Sequence, residues 1–135
     1  MRGNLNRIGE CRVMSTKQRT YKIKSYVNAS HAVRWATGSG KKHTHTWEIV
    51  CELHTVDAMV AFYDIEKNLH QALDELSGKF LNDLPEFKTV NPTVENVTEY
   101  LFKKIDKTLR DNGAQLMRIE VSDSPTRAYC ISVTD

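Results

Sequence analysis

Two histidines in the stretch KKHTHTWEIV, His43 and His45, are spaced to bind one metal ion. Residues i and i+2 of a β-strand project from the same face, so their Cβ atoms would lie roughly 6.5 to 7 Å apart. At that separation both imidazoles can reach a single zinc ion, with bonds of about 2.0 to 2.1 Å. His31 ends the preceding predicted strand and would lie beside them if the two strands pair as a hairpin. Three imidazoles leave a fourth position open for water or substrate, which is typical of catalytic zinc.

The histidine spacing also fits a simpler interpretation. Two histidines separated by one residue occur by chance, and solvated histidines are common at the polar ends of strands. The other two histidines, His54 and His70, are interpreted as solvated. The two interpretations of His43 and His45 differ in whether a third ligand lies close by. The spacing by itself leaves both open.

Two alternating segments predict the strands that position these histidines. One runs from Tyr21 to Val33 and the other from His43 to Leu53, and the small, basic, Gly-rich segment Ala36 to Lys42 between them predicts a loop. The polar end of the second strand carries the histidine pair.

Two amphipathic helices and two further strands follow. Asp64 is the expected N-cap of the first helix and Gly78 its end, while the second helix runs from an N-cap at Thr93 to Gly113. The segments LMRIEV and RAYCISV predict a hairpin around SDSPT. This order favours an α+β fold, with an antiparallel sheet and the helices on one face.

Composition narrows the class of protein. The chain has 135 residues, of which 40% are hydrophobic and 27% charged, with a net charge of only +2. Residues 1–20 are interpreted as a polar N-terminal extension and residues 21–135 as one domain. The low charge disfavours nucleic-acid and membrane partners, and no segment has the length and hydrophobicity of a signal peptide or membrane span. Three widely spaced cysteines indicate a reducing cytoplasm rather than a disulfide framework.

Five short motifs in register give the chain a recognisable pattern: V-N-A-S-H, H-T-H, K-F-L-N-D, P-T-V-E-N and S-P-T-R-A-Y. Between about Tyr21 and Val133 it resembles the 6-pyruvoyltetrahydropterin and 6-carboxytetrahydropterin synthase family. The resemblance implies the tunnelling fold, in which each subunit supplies four antiparallel strands and two helices. It also implies a homo-oligomer, a trimer whose strands close a barrel or a hexamer of two stacked trimers, with active sites between subunits.

The resemblance further implies a zinc-dependent lyase acting on 7,8-dihydroneopterin triphosphate. In bacteria one branch of the family forms 6-carboxytetrahydropterin on the route to queuosine. The zinc ligands would be His31, His43 and His45, although Thr44 replaces the usual glycine between the last two.

The pterin anchor of the family is a Glu-Thr pair before the last strand, and here Asp123-Ser124 stands in that place. Aspartate keeps the charge but is one methylene shorter. Thr93 matches a second pterin-binding residue, although a plain helix N-cap explains it equally well.

The residues for proton transfer depart from the family pattern. Ser39 stands where the family has its catalytic cysteine, and Ser77 and Gly78 replace its Asp-His pair. A serine hydroxyl is a far weaker acid than a thiol and needs a base of its own. The sequence therefore leaves two functions open: a zinc-dependent pterin enzyme with altered chemistry, or a metal-containing module that binds a pterin or purine without turnover.

Overall fold

The computed structural model describes residues 17–55 and 61–134, so most of the predicted N-terminal extension, residues 1–16, lies outside the described residues. Four strands form one antiparallel sheet in the order β1-β4-β5-β6. They are β1 (Tyr21–His31), β4 (His43–Thr55), β5 (Ala114–Ser124) and β6 (Arg127–Ser132). A two-stranded hairpin, β2 (Arg34–Trp35) and β3 (Gly38–Ser39), lies between β1 and β4.

Strand alternation determines which side chains enter the core. In β1 the buried positions recur every second residue, and in β4 Trp47, Ile49, Cys51 and Leu53 are buried. The register pairs Tyr21 with Leu53 at one end and His31 with His43 at the other. The predicted α+β class and the hairpin pairing of the two histidine strands are confirmed.

Three helices complete the fold: α1 (Phe62–Asp74), the short α2 (Pro85–Thr89) and α3 (Val94–Arg110). A 3-10 turn, Leu81–Asp83, precedes α2. The α3 helix buries Val97, Leu101, Ile105 and Leu109 and packs against β5 and α1. Within the described residues, no helix is long and apolar enough to cross a membrane.

The predicted boundaries of α1 are wrong at both ends. Its N-cap is Ala61 rather than Asp64, which lies in the first turn, where a carboxylate still interacts favourably with the helix dipole. The helix ends at Asp74, and Gly78 follows in a turn with a φ of 72°. The backbone N–H of Gly78 donates to the carbonyl of Asn28 at 2.7 Å, so the turn lies along the free edge of β1.

Candidate functional site

Three side chains converge where β1 ends, β4 begins and β5 ends. One ligand atom each from His31, His45 and Asp123 lies within 4.8 Å of the other two. The Nε2 atom of His31 is 3.9 Å from Oδ2 of Asp123, and the ring centroids of His31 and His45 are 5.1 Å apart. Because side chains alternate along β5, Asp123 shares the inward face of Ile119 and Val121. Two imidazoles and a carboxylate are a donor set that binds zinc in proteins.

The His31 ring is fixed by a contact from the loop before α3. Its Nδ1 lies 2.7 Å from the carbonyl oxygen of Pro92, which can only accept, so Nδ1 carries the proton and donates. When the ring is neutral, the free lone pair is therefore on Nε2, the nitrogen that faces Asp123. The Trp47 ring packs edge-on against His31 at 5.0 Å, and its Nε1 donates to the carbonyl of Ala29 at 3.1 Å. This arrangement prepares His31 to bind a metal through Nε2.

Electrostatics favour the neutral form of His45. Burial lowers the pKa of its imidazole, and His31 and His43 lower it further, whereas the Asp123 carboxylate acts in the opposite direction. A histidine must be neutral to bind a metal, so the environment of His45 suits a ligand.

His43 lies at the edge of this cluster. It is opposite His31 in the sheet register, but its side chain is exposed and its ring stacks on His45 with a centroid distance of 5.9 Å. Within the described residues, the only group of three donors within ligand distance contains Asp123 rather than His43. The structure thus places all three predicted histidines on one face and brings two of them next to the carboxylate.

A cavity of about 350 Å³ opens beside Asp123, between the start of α3 and the β5–β6 turn. Its other lining residues are Val94, Glu95, Arg127, Ala128 and Tyr129. Asp123 therefore belongs both to the group of metal-binding donors and to the cavity wall.

Thr93 is the N-cap of α3 and directly precedes Val94 and Glu95, which line this cavity. Its hydroxyl accepts a hydrogen bond from the backbone N–H of Asn96 at 3.2 Å, which confirms the predicted capping role.

The sequence model of the family described as 6-pyruvoyl tetrahydropterin synthase matches residues 20–133. The chain belongs to this family. The predicted resemblance is therefore confirmed, and members of the family are generally lyase-type enzymes. No curated protein sequence matches the chain.

Several solved structures share the fold of this chain. The 6-pyruvoyl tetrahydropterin synthase of Caenorhabditis elegans superposes with a TM-score of 0.74 at 21% identity, covering 86% of this chain and 96% of that one. A Plasmodium vivax 6-pyruvoyltetrahydropterin synthase in which a catalytic glutamate is substituted gives 0.63 at 12% identity, with coverage of 84% and 98%. An uncharacterised protein of Wolinella succinogenes gives 0.60 at 12% identity, with coverage of 85% and 99%. These matches confirm the predicted tunnelling fold.

Ser39, predicted from the resemblance to stand in place of the family's cysteine, lies in the β2–β3 hairpin opposite Arg34 and is exposed. In the part of the chain that the structure describes, no side chain forms a hydrogen bond with its hydroxyl. No described side chain is therefore hydrogen-bonded to this hydroxyl in a way that would activate it as a base.

Ser77 and Gly78, predicted from the resemblance to replace the family's Asp-His pair, lie in the exposed turn after α1. A histidine in place of Gly78 would adopt a positive φ at a cost of about 1 to 2 kcal/mol. The turn conformation at Gly78 therefore disfavours a histidine there.

Two asparagines hold the chain between His31 and the hairpin, and sequence reasoning did not identify their role. Asn82 accepts from the backbone N–H of Ala32 at 2.9 Å and donates to the carbonyl of the same residue at 2.8 Å. Asn91 forms the same pair of bonds with Arg34, whose guanidinium donates to the carbonyl of Phe87 at 2.6 Å. Asn82 lies in the K-F-L-N-D motif and Asn91 directly precedes P-T-V-E-N, which was the available signal, but their partners are set by tertiary contacts.

Proposed function

We propose that the chain is a zinc-dependent pterin enzyme related to 6-pyruvoyl and 6-carboxytetrahydropterin synthases, acting on 7,8-dihydroneopterin triphosphate or a related pterin. The observation that carries this proposal is the convergence of His31, His45 and Asp123 beside a cavity, in a chain that belongs to this family. Asp123 belongs both to this group of donors and to the cavity lining, so a pterin bound in the cavity would lie next to the metal site.

The donors present fit zinc. His31 and His45 would hold it together with a third ligand, either the predicted His43 or Asp123. Zinc would supply a Lewis acid that polarises the hydroxyl and carbonyl groups of the pterin side chain. The Pro92 carbonyl keeps the His31 proton on Nδ1, and Trp47 holds the ring in place.

The pterin ring would occupy the cavity lined by Asp123. A carboxylate accepts hydrogen bonds from neighbouring N–H groups, and the aminopyrimidine edge of a pterin presents such a pair. Thr93 lies at the start of α3, adjacent to the lining residues Val94 and Glu95, and its hydroxyl would contact the same ring. These are the roles predicted for Thr93 and Asp123.

Proton transfer in this protein would depend on groups other than the family's thiol. The matched Plasmodium vivax enzyme has a catalytic glutamate, so a carboxylate serves a catalytic role within the family. In this chain Asp123 is the carboxylate beside the donor group, with its side chain 17% exposed. Ser39 and Asp123 are the two predicted catalytic groups. We propose that Asp123 handles the proton in the arrangement in which His43, and not Asp123, is the third zinc ligand, with Ser39 as the weaker candidate.

A second candidate function is a pterin- or purine-binding homologue that retains the metal site without turnover. It is favoured by Ser39, Ser77 and Gly78, which occupy the family's three proton-transfer positions and are exposed. Such a protein would bind a pterin through Asp123 and release it unchanged.

The deciding experiment is incubation of zinc-loaded protein with 7,8-dihydroneopterin triphosphate, followed by mass spectrometry of the pterins and assay of released triphosphate. The enzyme proposal predicts a new pterin product that disappears in His45→Asn and persists in the exposed-helix control His70→Asn. If pterin binds, Asp123→Ala abolishes that binding and no product forms, then the binding function replaces the enzymatic one.

The proposal includes a homo-oligomer, a trimer or hexamer. Within the described residues β6 pairs only with β5, so its outer edge is available for a strand of another subunit. Light scattering coupled to size-exclusion chromatography tests this, and a monomer at all concentrations would contradict it.

The proposed location is the cytoplasm, and the proposed route is queuosine biosynthesis. Cys51 and Cys130 are free thiols, as expected in a reducing compartment. Loss of queuosine from transfer RNA after gene deletion would support the route, whereas recovery of the protein outside the cytoplasmic fraction would contradict the location.

A further inference from the structure

A second cavity, of about 380 Å³, opens at the end of the sheet remote from the predicted metal ligands. His43 begins β4 and His54 lies near its other end, beside this cavity. The strand has 13 residues, so at about 3.3 Å per residue its two ends lie roughly 40 Å apart. The cavity is lined by the four residues before β1 and by three residues of β4 and β5: Lys17, Gln18, Arg19, Thr20, His54, Gln115 and Met117.

A β-bulge in β5 shapes the floor of this cavity. The register between β4 and β5 skips Met117, which is therefore an extra residue in β5. Met117 and Gln115 are both partly buried and both line the cavity. His54 lies opposite Gln115 in the register and alternates with the buried Leu53. The floor thus belongs to the face of the sheet that is turned away from the core.

The lining carries positive charge without a compensating carboxylate. Lys17 and Arg19 are exposed cations, and no acidic side chain is among the described residues that line the cavity. Within residues 17–55 and 61–134, neither cation forms a salt bridge. On the same face of the sheet, Glu52 and Glu120 both pair with Arg118, at 3.8 and 3.0 Å. A concave site lined by charge of one sign concentrates ions of the opposite sign.

The N-terminal sequence concentrates positive charge in the segment that supplies these two cations. Residues 1–20 contain five Lys and Arg residues and one Glu, which gives them a formal charge of +4. The rest of the chain has 14 basic and 16 acidic residues, a formal charge of −2. The net charge of +2 therefore conceals a strongly basic segment, and such segments are typical of anion binding.

The side chains around the cavity suit phosphate oxygens. The guanidinium of Arg19 can donate two parallel hydrogen bonds to one phosphate, and the ammonium of Lys17 supplies a second positive charge. The Thr20 hydroxyl and the Gln115 amide are neutral donors in the same lining. Cavities of about 300 to 1,000 Å³ typically hold organic ligands, so this one has more space than a single orthophosphate fills.

We propose that this cavity binds a small molecule that carries a di- or triphosphate group, with Lys17 and Arg19 as its main contacts. The inference goes beyond the proposed function, because the cavity lies at the far end of β4 from the candidate active site. Its concave shape favours a small molecule over a nucleic acid, which is bound along an extended basic surface.

The test is isothermal titration calorimetry of the full-length, zinc-free protein with inorganic triphosphate. We expect one triphosphate to bind per chain. Arg19→Gln and Lys17→Gln should each weaken binding about 10-fold or more, because each removes a charge-assisted contact with the ligand. Both residues are exposed and precede β1, so the two variants should fold as the wild type does.

Arg127→Gln is the matched arginine control, because the exposed Arg127 lines the other cavity, beside Asp123. It should leave triphosphate affinity within about twofold of the wild type, as should Lys103→Gln on the exposed face of α3. Binding that survives Arg19→Gln but is lost in Arg127→Gln would place the triphosphate in the candidate active site and overturn the inference. Equal weakening by Arg19→Gln and Lys103→Gln would also overturn it, by showing a diffuse effect of net charge.

Two further outcomes would contradict the proposal. One is the absence of binding at millimolar triphosphate. The other is tighter binding of a short single-stranded RNA than of triphosphate, with the same dependence on Lys17 and Arg19, which would make the segment a nucleic-acid contact. None of these measurements depends on product formation from dihydroneopterin triphosphate, so the inference and the proposed function can fail separately.

Discussion

The side-chain amide of Asn91 pairs with both backbone groups of Arg34, accepting from its N–H at 2.9 Å and donating to its carbonyl at 2.8 Å. A neighbouring backbone strand would offer Arg34 the same two bonds. The contact joins the loop before α3 to the segment that links His31 to the β2–β3 hairpin. Since the carbonyl of Pro92, the next residue, accepts a hydrogen bond from the Nδ1–H of His31, Asn91 positions a predicted metal ligand through the adjacent backbone.

Replacing Asn91 by alanine should therefore affect both stability and metal binding. We expect Asn91→Ala to lower the free energy of unfolding by about 1 to 3 kcal/mol, because two partly buried backbone groups lose their partners. Zinc affinity should fall as well, since His31 loses its fixed orientation. Chemical denaturation and chelator competition measure the two effects.

Asn112→Ala is the matched control for this variant. Asn112 is exposed just after α3, and its side-chain amide donates a hydrogen bond to the carbonyl of Thr108 at 2.8 Å. Its removal should cost under about 0.5 kcal/mol and leave zinc affinity unchanged. Equal effects of the two variants would show that the Asn91 contact has no positioning role.

Two substitutions of Thr93 can separate its role in helix capping from its proposed role in pterin binding. Thr93→Ala should lower the unfolding free energy by about 1 kcal/mol, because the Asn96 N–H loses its acceptor. Thr93→Asn should keep the wild-type stability, since asparagine is an equally good N-cap, yet bind pterin more weakly because it lacks the hydroxyl. Thermal unfolding and pterin fluorescence titration report the two properties. If Thr93→Asn binds pterin as the wild type does, Thr93 is only a cap.

The substitution Ser39→Cys should not restore the standard reaction of the family. The new thiol would lie in an exposed hairpin, and the positions of the Asp-His pair are still occupied by Ser77 and Gly78. We expect no more product from dihydroneopterin triphosphate than the wild type forms, measured by the same mass-spectrometric assay. Full turnover in this single variant would show that the missing thiol is the only defect.

Cys51 should resist thiol reagents while Cys130 reacts. Burial in the core raises the pKa of the Cys51 thiol to about 12, whereas Cys130 is exposed. At pH 8 the folded protein therefore holds almost no Cys51 thiolate, which is the reactive form. Brief alkylation followed by peptide mass spectrometry should find Cys130 modified and Cys51 intact, and equal labelling would contradict this packing.

The raised pKa also determines how Cys51 affects stability as pH changes. The unfolded chain loses the Cys51 proton near the ordinary thiol pKa of about 8.5, whereas the folded chain retains it up to about 12. The folded state thus binds more protons in that window, so the Cys51 contribution to stability falls as pH rises through it. In Cys51→Ala the free energy of unfolding should therefore fall less steeply as pH rises. Chemical denaturation of both proteins between pH 8 and 10 measures the difference.

Local patterns predicted most of the fold correctly. The alternation in β1 and β4 and the capped stripe of α3 depend on residues close in sequence, and both appear as predicted. The errors lie in the segment Ala36 to Lys42, which was predicted as a loop but contains β3, and at the ends of α1. In α1 the Asp64 cap competes with a start at Phe62, whose ring packs edge-on against Tyr21 at 5.0 Å. That contact joins distant parts of the chain, so no local pattern could show it.

By itself, the sequence placed His31, His43 and His45 on one face of a sheet, because side chains alternate along every strand. Only the tertiary structure showed that His31 and His45 meet Asp123 while His43 stays at the edge. It also provided the Pro92 carbonyl that orients His31, from a position 61 residues away. The physical reason is that alternation is a property of one strand, whereas the distance between donor atoms depends on strand pairing and helix packing across the whole domain.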